Sequence, residues 1–221
     1  MDILNAMQAR HSVRSYLPKP LEPEVKSALE KEISAVNGES GLHFQLVTNE
    51  PKAFDSFMAH YGKFTGVTNY IALVGRKSRD LDERCGFYGE RLVLLAQQLG
   101  LNTCWVALTY KKIPGAFQIG PGEKLTVVIA LGYGATQGVP HKSKPAEAVA
   151  KDFGAAPEWF RRGIDAALLA PTAVNQQKFT FTLENGRVRA KAGAGFYANV
   201  DLGIVKYHFE TAAGKENFQW Q

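Results

Sequence analysis

The segment Gly86 to Val106, GFYGERLVLLAQQLGLNTCWV, limits what this chain can fold into more than any other. Its first part sets apolar residues around most of a helical circumference (Phe87, Leu92, Val93, Leu94, Leu95, Ala96 and Leu99), contains no proline and is rich in helix formers. That pattern predicts a helix buried on nearly all sides. Gly100 follows the last periodic residue, where a left-handed stop is favoured, and Leu101 to Val106 have the β-branched and aromatic content of a strand. A buried helix that feeds directly into a strand belongs to a mixed helix-and-sheet domain.

With 221 residues, 45% of them hydrophobic, the chain is long enough to cover such a helix with a large core. No apolar run approaches the ~18 to 20 residues of a membrane helix. Met1 is not followed by a charged-then-apolar leader, so a cytoplasmic protein with no membrane partner is expected. Cys85 and Cys104 lack the spacing of a zinc site and are expected to be reduced core thiols. His11, His43, His60, His141 and His208 are scattered, so no metal is expected. The net charge of +5 is spread along the chain without a basic helix or an RNA-binding aromatic motif. A small anionic ligand therefore suits it better than nucleic acid.

In chain order, Asp2 is placed to cap a helix from Ile3 to Ala9. Val25, Leu29, Ile33 and Val36 recur at helical spacing and predict a helix from about Pro23 to Val36. Phe54, Phe57, Met58 and Tyr61 mark another. Strands are expected at Phe44 to Val47, Asn69 to Gly75 and Leu125 to Leu131, and a helix from about Pro157 to Leu169. Phe179 to Leu183 and Arg187 to Ala192 flank the Asn185-Gly186 turn of a hairpin. A last helix from about Asn199 to Ala213 stops at Gly214. Gly132-Tyr133-Gly134 imitates a dinucleotide fingerprint, but the third glycine is displaced to Gly138 and Pro140 stands where a helix should begin.

Three polar segments are candidates for binding. Arg10-His11-Ser12-Val13-Arg14 precedes a proline-rich stretch and should be extended, which puts Arg10, Ser12 and Arg14 on one face, a donor set for an anion. Lys142 and Lys144 stand one residue apart between Pro140 and Pro145, so they should point the same way. Ala170-Pro171-Thr172-Ala173-Val174-Asn175-Gln176-Gln177 places short polar side chains after a proline stop. The chain also echoes itself. Helix, Ser34 to Asn37 and strand are followed later by helix, Thr172 to Asn175 and strand, and Gly89-Glu90 through Gly100 to Trp105 matches Gly203-Ile204 through Gly214 to Trp220.

Together the Arg-His-Ser-Val-Arg start, the Pro-Thr…Asn loop, the GLNTCWV turn and the LGYG strand end resemble the FMN-dependent nitroreductase family over most of the chain. In that family the asparagine loop lies in the first half and is donated across a homodimer. Here the good match, Ala170 to Gln176, lies in the second half, as in the branch where one chain imitates the dimer. The resemblance implies an α+β fold with a central antiparallel or mixed sheet flanked by helices. It implies one domain, 1–221, made of half-repeats of about 1–145 and 150–221, a pseudo-dimer active as a monomer.

It also implies one FMN site per chain. Arg10, Ser12, Lys142 and Lys144 would hold the phosphate, with His11 in the same segment. Arg14 would face the pyrimidine edge of the ring. Backbone amides near Ala107 and Leu108 would face N5, with Trp105 and Val106 as the wall, and Pro171, Thr172, Asn175 and Gln176 would reach the cofactor from the second half. No side chain acts as a dedicated acid or base, because the flavin carries the chemistry. The activity implied is a ping-pong oxidoreductase that uses NADPH or NADH to reduce a small electron-poor acceptor, such as a nitroaromatic or quinone. A specialised flavin dehydrogenase and a flavin-binding protein without turnover are the alternatives.

Overall fold

The computed structural model describes the backbone of residues 1–221 and every side chain except those of Met58 and His60, which lie outside the described residues, as do the readings placed on them. The chain divides into two compact units, Met1–Leu81 with Arg91–Pro140, and Asp82–Glu90 with His141–Gln221.

The first unit begins with α1, Ile3–Ala9, capped by Asp2, whose carboxylate accepts from the Asn5 amide at 2.8 Å. Helix α2, Pro23–Ser40, buries Leu29, Ile33 and Val36 and ends at left-handed Gly41 (φ 66°). It runs past the expected stop at Val36, so Ser34 to Asn37 is helix and not the loop that the internal echo required. A helix needs no break there, because Asn37 turns its amide outward to the next strand. It accepts from the Phe44 amide at 2.8 Å and donates to the Phe44 carbonyl at 2.9 Å.

Strands β1 (His43–Val47) and β2 (Asn69–Arg76) follow, with the short helix α3 (Phe57–Tyr61) between them. Strands β3 (Asn102–Val106) and β4 (Glu123–Gly132) complete an antiparallel sheet of order β1-β2-β4-β3. β2 is buried from Asn69 to Gly75, the mark of an interior strand. Helix α4, Leu81–Gln98, is the buried element foreseen around Gly86, and no residue from Leu81 to Gln97 is exposed. Its later half lies in the first unit, where Arg91 donates to Glu32 at 2.5 Å and Glu39 at 2.8 Å on α2. Gly100, at φ 79°, turns the chain into β3.

The second unit holds α5 (Glu158–Ala167), the hairpin of β5 (Phe179–Glu184) and β6 (Arg187–Ala192), α6 (Ala198–Ala213) and β7 (Gln219–Trp220). Asn185 (φ 50°) and Gly186 (φ 74°) make the left-handed two-residue turn expected there. Phe209 of α6 is the aromatic centre, stacked on Phe181 at 4.8 Å and ringed by Phe160, Phe218 and Trp220 at 5.3 to 5.6 Å. The sheet order is β5-β6-β7 with β6 and β7 parallel. It is the pattern of the first sheet with β4 left out, because two antiparallel steps leave the flanking strands parallel.

The first half of α4 also belongs to this unit and packs on α6. Gly86 and Gly203, each the sixth residue of its helix, make the crossing. A Cβ on Gly86 would overlap the Val200 carbonyl and lie 3.0 Å from the Ile204 nitrogen, and one on Gly203 would overlap the Glu83 carbonyl and lie 2.6 Å from the Phe87 nitrogen. Each glycine thus accepts the other helix's backbone at equivalent positions. The structure aligns Gly86 with Gly203, whereas the sequence echo paired Gly89 with Gly203, close to one helical turn away. Lys206 pairs with Glu83 at 2.6 Å, and His208 with Glu90 at 2.9 Å with neither side chain exposed.

Candidate functional site

In the first unit the site is built on the segment that leaves α1 at Arg10. Its backbone is shared among three neighbours. The Val13 amide donates to the Thr103 carbonyl of β3, the Thr65 amide to the Arg14 carbonyl and the Leu17 amide to the Tyr133 carbonyl, at 2.8 to 3.0 Å. The segment is thus extended, as its composition predicts, and alternation sends Val13 (1% exposed) into the core. The Tyr16 hydroxyl donates to the Val13 carbonyl at 2.7 Å, and burial raises the Tyr16 pKa well above its ordinary value.

Arg10 is buried, His11 and Ser12 are half-buried and Arg14 is exposed, so the guanidiniums stand at different depths. The backbone of Ser12 bridges to Thr103 of β3. Burial pushes the thiol of the neighbouring Cys104 up, while Arg14, Ser12 and Arg10 pull it the other way. The Gly132-Tyr133-Gly134 turn serves this segment. A Cβ on Gly132 would press the Tyr16 ring at 3.1 Å, one on Gly134 would meet Asn102 Oδ1 at 2.5 Å, and one on left-handed Gly138 would meet His11 Cβ at 2.8 Å. Past the donors, Trp105 is half-buried, Val106 buried, Ala107 half-buried and Leu108 exposed.

In the second unit the lysine segment and the asparagine loop are held together. Lys144 donates from its amide to Gln177 Oε1 and from Nζ to the Gln177 carbonyl, both at 2.8 Å. Gln177 Nε2 donates to the Lys142 carbonyl and to Asn175 Oδ1, both at 2.8 Å, and Asn175 Nδ2 donates to the Lys142 carbonyl at 3.0 Å. Lys142 contributes its backbone to these bonds and keeps an exposed side chain. The Thr172 hydroxyl accepts from the Gln177 amide at 3.1 Å, and Pro171 is buried at the loop's base.

The loop is strained. Val174 (φ 46°), Asn175 (φ 54°) and Gln177 (φ 44°) are left-handed without being glycine, and Val174 is β-branched and 91% exposed. Such positions cost about 1–3 kcal/mol each and persist only where the surroundings over-determine them. Asp201, 4% exposed in the first turn of α6, is part of those surroundings. Its Oδ1 accepts from the Ala173 amide at 2.9 Å and its Oδ2 from Gln176 Nε2 at 2.7 Å. Burial raises its pKa to about 6, against the two hydrogen bonds.

Comparison with known sequences decides the family. The family described as "Putative TM nitroreductase" matches residues 2–213. The chain belongs to that family. Among solved structures, a "putative nitroreductase" from Thermotoga maritima MSB8 is 25% identical to this nitroreductase-family chain, covering 98% of it and 85% of its own length, with a TM-score of 0.70. A "Putative NADH dehydrogenase/NAD(P)H nitroreductase" from Bacteroides thetaiotaomicron VPI-5482 is 23% identical over 68% of this chain and 96% of its own, at a TM-score of 0.53. A protein of the same description from Parabacteroides distasonis ATCC 8503 is 22% identical over 68% and 97%, also at 0.53. No curated protein matches the sequence. The fold is that of the nitroreductases, an α+β arrangement of antiparallel and mixed sheets with helices.

For this nitroreductase-family chain, Arg10, Ser12 and Arg14 thus gather in one unit, and Lys142, Lys144, Thr172 and Asn175 in the other. Sequence reasoning ran the candidate loop to Gln177 without giving that residue a role and missed Asp201, and these two organise the second group. Asp201 carried a signal, as the one acid in the apolar helix start ANVDLGIV. Gln177 carried little, standing beside an identical neighbour in NQQK. Among the described residues, no helix is long and apolar enough to cross a membrane and no group of three or more His, Cys, Asp or Glu side chains suits a metal ion.

Proposed function

We propose that this chain is an FMN-dependent oxidoreductase of the nitroreductase type that uses NADPH or NADH to reduce a small electron-poor acceptor. The observation that carries the reading is Gln177, which ties Lys142 and Lys144 to the Thr172–Asn175 loop, two segments far apart in sequence to which the family pattern assigns one ligand. The donor chemistry fits FMN. Arg10 and Ser12 suit the phosphate, as do the lysines, and the permanent charge of Arg14 suits the ring edge where negative charge grows on reduction. Thr172, Asn175 and Gln176 offer a hydroxyl and amides to the polar ring, and the main chain at Ala107 and Leu108 offers amides beside the Trp105 and Val106 wall. When bound, FMN would accept a hydride from the nicotinamide donor and release the electrons to the acceptor. The chain's own share is to bind, orient and polarise.

The single-chain pseudo-dimer belongs to the same proposal. The reciprocal Gly86 and Gly203 crossing and a second sheet that repeats the first without β4 support it. On this reading the active form is a monomer with one flavin site.

The deciding experiment is the visible spectrum of the purified protein, before and after anaerobic addition of NADPH or NADH. A flavin spectrum that bleaches is expected. A flavin spectrum that persists would instead support a flavin-binding protein without turnover, and no colour after FMN is added would refute the cofactor. Lys142→Ala with Lys144→Ala should weaken FMN binding roughly tenfold, the scale of a lost charged hydrogen bond. Lys142→Ala alone tests the charge, since only its backbone is engaged in the loop. Unchanged affinity on titration with FMN would remove the lysines from the site.

A further inference from the structure

We infer that Asp201 is the positioning residue that holds the Thr172–Gln177 loop in its cofactor-binding form, an assignment that rests on the flavin reading. Three left-handed residues in so short a loop need to be held from outside it. Gln177 ties the loop to the lysine segment, and Asp201 anchors its other side. One carboxylate fixes both ends of the Ala173–Gln176 turn, accepting the backbone amide at Ala173 and the side-chain amide at Gln176. Gln176 Nε2 also donates to the Phe196 carbonyl at 2.8 Å, so the same carboxylate orients the amide that joins the loop to the approach of α6. Thr172, Asn175 and Gln176, the residues proposed to reach the flavin, thereby sit in a loop held by a carboxylate whose two bonds go to the protein. Asp201 is carried on α6, which packs closely on α4 at the glycine crossing two residues further on.

The groups facing the carboxylate are both uncharged amides, at Ala173 and Gln176, so its charge state is governed by burial, and it titrates at about 6. The charged carboxylate accepts both bonds. Protonation converts one acceptor oxygen to a donor and frees one side of the turn. A loop that binds FMN only when held by the carboxylate would lose affinity on acidification, by about tenfold one pH unit below the titration midpoint.

The test measures FMN affinity of the full-length protein at pH 7.5 and at pH 5, for wild type, Asp201→Asn and Asp201→Ala, with hydrogen exchange of residues 172–177 in parallel. The phosphate of FMN itself titrates near pH 6, and Asp201→Asn supplies that background because its own side chain does not titrate. Expected are a wild-type loss on acidification that exceeds the loss in Asp201→Asn by about tenfold, weaker binding by both variants at pH 7.5, and faster exchange in the loop. Asp201→Ala guards against an accommodating Asn, which keeps one acceptor oxygen. Variants that bind as tightly as wild type at both pH values, or an acid loss of equal size in wild type and Asp201→Asn, would overturn the assignment. Wild type that fails to hold FMN at either pH would overturn the flavin reading itself, an outcome distinct from failure of Asp201 alone.

Discussion

Gly203→Ala should lower the melting temperature by roughly 10 °C, and Gly38→Ala should raise it slightly. The two substitutions are chemically identical and differ only in what a methyl group meets. At Gly203 it meets the Glu83 carbonyl and the Phe87 nitrogen of α4, which are backbone atoms that cannot rotate away, so the helices must separate along their crossing. Overpacking of this kind costs about 3 kcal/mol, and a chain of this size loses about 2–4 °C per kcal/mol. At Gly38, inside α2, nothing lies within 4 Å of the new carbon, and relief of glycine's backbone entropy contributes about 0.5–1 kcal/mol. Thermal denaturation of both variants checks the pair, and a Gly203→Ala as stable as wild type would mean that the two helices do not meet at the Glu83 carbonyl. Gly86→Ala should behave as Gly203→Ala does, since it meets the Val200 carbonyl in the reciprocal position.

His208→Leu should destabilise the protein by about 3–5 kcal/mol, whereas His208→Leu combined with Glu90→Leu should recover most of that loss. His208 Nδ1 lies 3.0 Å from the Ala166 carbonyl, which only accepts, so Nδ1 carries a hydrogen and Nε2 is left to face Glu90 Oε1 at 2.9 Å. Neither side chain is exposed. Removing His208 takes from the buried Glu90 carboxylate the partner it meets on α6, which is the costly event, while replacing both with apolar groups is often close to neutral. Denaturant titration of the two singles and the double measures the coupling. A single mutant that loses under about 1 kcal/mol would show that the pair is a bystander.

The sequence made the large periodic features legible and left their edges and registers hidden. The burial of α4 could be read because its apolar residues surround the helix, and β2 because an unbroken apolar run bounded by polar residues fits an interior strand. The extended Arg10 to Arg14 segment was readable from alternation and the prolines that follow. The end of α2 was not, because the polar residues after Val36 say nothing of the Asn37 side chain that pairs with the Phe44 backbone. The echo read from the sequence, Gly89 with Gly203, differs from the reciprocal glycines of the crossing, Gly86 with Gly203, for a related reason. Gly86 and Gly89 are the same residue type, and the close approach of the Val200 carbonyl to Gly86 is a long-range contact that leaves no local trace. In the candidate site, the arginine, serine, lysine and asparagine side chains proposed to face the ligand stand out in the sequence by their chemistry. Gln177 and Asp201 act on other residues of the protein, and a residue whose partners are long-range leaves little trace in its local sequence.

Helix α4 is divided between the units, with Asp82–Glu90 belonging to the second and the rest to the first. A ribosome therefore releases the Gly86 face of α4 about 110 residues before the start of α6, its partner at the glycine crossing. At synthesis rates of about 5–20 residues per second, that face waits for roughly 5–20 s. The nascent chain then carries Phe87 and Glu90 without the α6 side chains Tyr207 and His208 that they meet in the folded unit, and residues made later, including Phe209, Phe218 and Trp220, complete it.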